Sequence, residues 1–248
     1  MDINKSMNTA VGNTKDMTDN YNTMKVNNSL QTGLKNTVEF AESDWMKIHK
    51  YKLASHNTMS YLTPKNWLDR ILAFTARCQS KTIYEQIERY GVQLVDLRFK
   101  FDKKGNVCFA HGAIEYKSDI NFIDDVLGYL NTYKDFPARV MFENKGNDTR
   151  AEKYFIEWCK RIEEKFPNIK FFGGRNKWTW KEVYKFPTPH ASIEDKYSSC
   201  NTNEPGKPQT GTYIDDLCPI WYANAHNKDN RERGTLKEYL MVDFVEIM

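Results

Sequence analysis

Gly91-Val92-Gln93-Leu94-Val95-Asp96-Leu97-Arg98 is the stretch that decides the fold. The run is largely apolar from Val92, too short for a helix, and follows a glycine that suits a helix C-cap. It reads as a strand over about 92–98 whose far end turns charged. Asp96 and Arg98 stand two residues apart, on one face. Just before it, Thr82 to Tyr90 has the spacing of an amphipathic helix. Tyr51-Lys52-Leu53-Ala54-Ser55-His56 reads as an earlier strand ending on a histidine, and Val107-Cys108-Phe109-Ala110-His111-Gly112 as a later one ending on a second. Three successive strands therefore finish on chemically active side chains.

The alternation continues along the chain. Helices are expected over 66–74, 119–133 and 152–166. Strands are expected at about 138–143, at 168–172 (closed by Gly173-Gly174), and at 190–194, 220–224 and 240–244. Eight short strands interleaved with helices predict an α/β fold, a distorted parallel (β/α)8 barrel of the TIM type, as one domain over 45–248. Residues 1–44, rich in Asn, Thr, Lys and Met, read as a poorly ordered or partly helical leader. Residues 198–216 read as a long loop. Active groups in such barrels lie at the C-terminal strand ends. His56, Asp96, Arg98, His111 and Glu143 are all expected there.

Composition narrows the function. The 248 residues carry a formal charge of only +3, with 36 basic residues interspersed among 33 acidic ones. That argues against a nucleic-acid partner, whose basic residues would cluster, and leaves a weak attraction to anionic surfaces. Five cysteines at wide spacings, without a Cys-x-x-Cys pair, argue for reduced thiols, against a disulfide framework and still more against zinc. The N-terminal stretch lacks the apolar core of a secretory signal and no run is long enough to span a membrane, so a cytoplasmic protein, or one exported without such a signal, is expected.

Two histidines flanking a cation suit acid–base chemistry on a phosphodiester. One imidazole takes the proton of an attacking hydroxyl, the other protonates the leaving oxygen, and the guanidinium steadies the phosphoryl charge. Plainer readings stand beside this one. Asp96 and Arg98 also make a structural pair on one strand face, and Glu143 also suits a barrel-end ion pair. His190 and His226 read as ordinary. Trp178, Trp180 and Trp221 suit rim packing, although Trp178-Thr179-Trp180 beside Lys177 and Lys181 is the expected membrane contact.

Ser55-His56-Asn57-Thr58, Gly91 to Arg98 and Ala110-His111-Gly112, in this order and spacing, resemble the catalytic X region of phosphatidylinositol-specific phospholipase C. The resemblance spans roughly 50–248 and is closest over 52–145; Val242-Asp243-Phe244 also fits. It implies a metal-free or calcium-assisted phosphodiesterase of the phosphorus–oxygen lyase kind. The substrate it implies is an inositol phospholipid or glycosylinositol lipid met transiently at a membrane surface. An inositol 2-hydroxyl attacks phosphorus, diacylglycerol leaves and a cyclic inositol phosphate forms. Carried over by motif, His56 is the general base, His111 the general acid, and Asp243 orients His56, with Asp96 and Arg98 at the phosphate. Glu194-Asp195-Lys196-Tyr197 resembles the segment that holds the inositol ring, Asp195 accepting hydroxyls and Tyr197 covering a ring face. Arg175 is a further expected inositol contact. Arg98 stands where calcium-dependent relatives carry a metal-ligating Asp, which favours the metal-free type and no cofactor. The alternative ligands for calcium are Asn57, Asp96 and Glu143. Asn57 replaces the Asp usual in bacterial members. A monomer is expected. Rival readings are a metal-dependent glycerophosphodiester phosphodiesterase and a barrel that binds inositol phosphates without turnover.

Overall fold

A computed structural model describes residues 51–144, 148–176, 184–187, 191–197 and 218–248, with Arg175 and Asn176 described in backbone only. The expected leader, the 198–216 loop, His190 and the Trp178-Thr179-Trp180 segment lie outside these residues. The strands are β1 (Lys52–Ser55), β2 (Val92–Phe101), β3 (Val107–His111), β4 (Ile114–Glu115), β5 (Phe136–Phe142), β6 (Ile169–Asn176), β7 (Ile193–Asp195) and β8 (Tyr239–Val242). Parallel ladders join β7, β8, β1, β2, β5 and β6 in that order. Among the described residues no ladder joins β6 to β7, so the fold is α/β with a curled, open barrel sheet.

Two expectations need correction. β3 was expected to run parallel, but it is antiparallel to β2, pairing Phe99 with Phe109 and Phe101 with Val107. The link 102–106 is too short for a parallel crossover, which needs a dozen residues or more. The stretch 220–224, expected as a strand, opens helix α5 (Pro219–Arg233). Pro219 sits at the first helical position, where its missing N–H costs nothing.

The other helices are α1 (Trp67–Leu72), α2 (Ile83–Glu88), α3 (Ile120–Leu130) and α4 (Thr149–Lys165). Helix α2 starts with a reciprocal cap: Thr82 Oγ1 accepts from the Glu85 N–H, and the Glu85 carboxylate accepts from the Thr82 N–H. Helix α4 buries Phe155, Trp158, Cys159 and Ile162, each large apolar side chain contributing about 1.5–3 kcal/mol. Helix α1 buries none of its residues.

Period-2 alternation sends the strand side chains to two cores. Val95, Leu97 and Phe99 of β2 join the helix-facing core with Ile83, Ile87, Phe155 and Trp158. Leu94, on the other face, joins Ala54, Phe172, Tyr239 and Met241 in a smaller cluster that no helix enters among the described residues. These residues are in register: Ala54 pairs with both Leu94 and Met241. Two positions further along the strands stand His56, Asp96 and Asp243, so the apolar floor becomes a charged layer one step up.

Candidate active site

All charged groups of that layer are buried, and each is placed by a strand end. Asp243 follows β8 and accepts from His56 Nδ1 at 2.7 Å. Arg98, on β2 beyond Asp96, donates from Nε to Asp96 at 2.8 Å, from Nη1 to Glu143 at 3.0 Å, and from Nη2 to His56 Nε2 at 2.6 Å. A guanidinium only donates, so His56 Nε2 accepts and its proton sits on Nδ1. In this arrangement the Nε2 lone pair of His56 faces the site. Gln79 locks this end of the barrel by donating from Nε2 to the carbonyls of both His56 and Val242.

His111 arrives by a different route. β2 overshoots the charged layer, and antiparallel β3 brings the chain back to it. The turn into β4 begins at Gly112, whose φ of 58° suits glycine. Its N–H donates to Glu143 at 3.2 Å. The His111 ring stands edge-on to His56 with centroids 5.8 Å apart, and its Nδ1 donates to the Ala76 carbonyl at 2.9 Å.

Asp96 is the hub. Its carboxylate accepts from Arg98, from Arg139 Nε at 2.8 Å and from the Asn57 N–H at 3.0 Å. Burial alone would raise its pKa, yet the Arg139 and Arg98 guanidiniums hold it well below the usual carboxylate range. Burial likewise opposes the Arg98 charge, but Asp96 and Glu143 push its pKa further up. Asp195 is different: burial dominates and its pKa is raised despite Arg139 Nη1 at 3.5 Å.

The expected residues fall into three groups. His56, Asp96, Arg98, His111, Glu143 and Asp243 share one cluster, buried apart from half-buried His111. Asp195 and Tyr197 join its edge, although Tyr197 lies flat on the His56 ring, with centroids 3.6 Å apart, instead of standing open for a sugar ring. Burial first and then Asp195 push the Tyr197 phenol up to about 12. Asn57 contributes its backbone N–H to Asp96. Its φ of 42° is a conformation that Asn tolerates better than most residues. Arg175 pairs through its backbone with Met141 after the sheet shifts register at Gly173, whose added Cβ would meet the Val140 carbonyl at 2.4 Å.

Arg139, Gln79 and Cys78 join the cluster without belonging to any of the sequence motifs. Arg139 carried a signal, since a charge at an inward position of a buried strand needs a partner. The alternative calcium ligands do not fit that ion as arranged. Arg98 bridges Asp96 and Glu143, whose oxygens already accept from guanidiniums and backbone N–H groups. The Asn57 amide nitrogen lies 4.0 Å from Cys78 Sγ.

No protein-family model matches the chain, and no curated protein does. Solved structures do. Phosphatidylinositol-specific phospholipase C from Listeria monocytogenes matches with a TM-score of 0.50 and 18% identity, over 86% of this chain and 93% of that one. A mutant of the enzyme of that name from Staphylococcus aureus matches at 0.47 and 14%, over 79% and 86%. At this identity the first match shows the fold: the chain is built on the same α/β barrel-type scaffold as a bacterial phosphatidylinositol-specific phospholipase C.

Proposed function

We propose that the protein is a phosphodiesterase that cleaves an inositol phospholipid by internal transfer, giving diacylglycerol and a cyclic inositol phosphate. The observation that carries this is the pair of imidazoles, buried His56 and half-buried His111, 5.8 Å apart and edge-on, with Arg98 beside His56. His56 Nε2 takes the proton of the inositol 2-hydroxyl as its oxygen attacks phosphorus. The imidazolium so formed is stabilised by Asp243. His111, tied to a carbonyl through Nδ1, gives a proton from Nε2 to the departing glycerol oxygen. Arg98 Nη2 moves from His56 to a phosphoryl oxygen when substrate binds, keeping its bonds to Asp96 and Glu143. The donor set favours a reaction without calcium, since Arg98 already supplies positive charge where phosphate charge develops.

A membrane-borne substrate agrees with an apolar patch on α1 and the turn after it. Trp67, Leu68, Ile71, Leu72 and Phe74 are all more than half exposed, and exposed Trp221 sits near them at the start of α5, where Cys218 Sγ reaches the Phe74 carbonyl. Clustered exposed hydrophobics of this kind mark contact surfaces. Two residues beyond Phe74, the Ala76 carbonyl holds His111. Dipping this patch into a bilayer would therefore bring the two-histidine site down to the lipid headgroups.

Phosphorus NMR on phosphatidylinositol vesicles, with EDTA or with calcium, tests the proposal. A cyclic inositol phosphate signal in EDTA supports it. Loss of turnover in EDTA, or a non-cyclic first product, refutes it.

A further inference from the structure

The two imidazoles also meet a thiol that the proposed reaction does not use. Cys78 is fully buried, and its Sγ lies 3.8 Å from His111 Nδ1. One ring nitrogen of His56, one of His111 and the Cys78 sulfur all lie within 4.8 Å of one another. The three residues are far apart in sequence, which is why a search for closely spaced ligand pairs passes over them. Zinc bonds of about 2.0–2.3 Å in a tetrahedron hold their ligands about 3.3–3.8 Å apart, so modest side-chain movements close the site.

His56 gives its Nδ1 proton to a carboxylate, as metal-bound histidines do. The His111 nitrogen that faces Cys78 is Nδ1, which donates to the Ala76 carbonyl at 2.9 Å, so binding requires that ring to turn or to release the carbonyl. The carboxylates of Asp96, Glu143, Asp195 and Asp243 outnumber the guanidiniums of Arg98 and Arg139, so the cluster favours an added cation. Arg98 Nη2 must leave the His56 lone pair, as it must for catalysis, and it keeps two other hydrogen bonds. Calcium prefers oxygen ligands, whereas two imidazoles and a thiolate suit zinc.

We infer that His56, Cys78 and His111 form a zinc site inside the catalytic cluster, which closes the enzyme when occupied. Zinc replaces the Cys78 thiol proton, which is released to solvent, and takes the lone pair that His56 needs as a base. The binding stands on geometry alone; the inhibition rests on the phosphodiesterase reading.

The test uses the full chain with cobalt(II) as a coloured substitute and zinc as competitor. One equivalent of cobalt should give the thiolate-to-cobalt charge-transfer band and the intense visible bands of a tetrahedral site. Equimolar zinc should bleach both, and millimolar calcium should not. C78S should lose the charge-transfer band, and zinc should no longer inhibit cleavage of a chromogenic inositol phosphodiester. D243N, which removes a partner behind His56, should weaken zinc about 10–100-fold, and it checks the site independently should C78S fail to fold. A wild-type protein without the charge-transfer band, a folded C78S that keeps it, or unchanged zinc affinity in D243N would overturn the inference. An inactive wild-type enzyme that binds cobalt through Cys78 would instead overturn the proposed reaction and leave the metal site standing.

Discussion

Arg139→Met is the perturbation that most directly probes how the charged layer is held. Arg139 gives Asp96 its 2.8 Å bond from Nε and reaches Asp195 at 3.5 Å. Methionine keeps much of the aliphatic bulk and removes the charge. Deleting one partner of a buried ion pair costs about 3–5 kcal/mol. Asp96 keeps the Arg98 Nε and the Asn57 N–H, so the low end applies, about 3 kcal/mol. That is roughly a hundredfold in the folding equilibrium. The sign of the pH dependence follows from Asp96. Its native pKa is depressed, so the stabilisation is complete above the ordinary aspartate value of about 3.9 and is lost as pH falls through the lower native value. The gap between wild type and variant should therefore be full at neutral pH and shrink in acid. Urea unfolding at a series of pH values measures it, and combining Asp96→Asn with Arg139→Met should recover part of the loss. A gap below about 1 kcal/mol at neutral pH, or one that persists unchanged in strong acid, would refute the hub role of Asp96.

Other expectations are briefer. His56→Ala and His111→Ala should each cut phosphodiester turnover by about 10²–10⁴-fold while the variants remain folded by circular dichroism, and near-normal turnover in either would end the two-histidine mechanism. Asp195→Asn should stabilise the protein at neutral pH, because burial raises the native Asp195 pKa and penalises its charged form; the gain should fade below about pH 4, and calorimetry would show its absence. Replacing Trp67 and Ile71 with Ser should weaken sedimentation with phospholipid vesicles while cleavage of a soluble inositol phosphodiester continues; equal loss of both would place the patch elsewhere in function. Thr82→Ala should cost about 1 kcal/mol through the lost cap of α2, read from thermal melts.

The sequence made part of this legible for a simple reason. Period-2 alternation in buried strands puts residues two apart on one face, so His56, Asp96, Arg98, Glu143 and Asp243 were readable as rim groups. The direction of β3 was also encoded, in the brief link from 102 to 106, but a histidine-ended strand fits either direction by pattern alone. Ile220-Trp221-Tyr222 looks β-forming by composition, and only Pro219 before it announced a helix. Helix α1 was readable as a helix but not as an exposed one, since an apolar stripe does not say whether protein or solvent will meet it. The meeting of Cys78 with two histidines depends on three separate loops and strand ends, and no local pattern reports that.

The His56–Asp243 bond closes a span of 187 residues. During synthesis at about 5–20 residues per second, His56 is added to the chain roughly 10–40 s before its carboxylate. Until then the first strand lacks β8 as its neighbour, the Gln79 clamp lacks the Val242 carbonyl, and nothing fixes the imidazole tautomer. A nascent chain would therefore carry both histidines and the whole β2–β3 hairpin without a working base. Under the proposed reaction, cleavage begins only once β8 is in place.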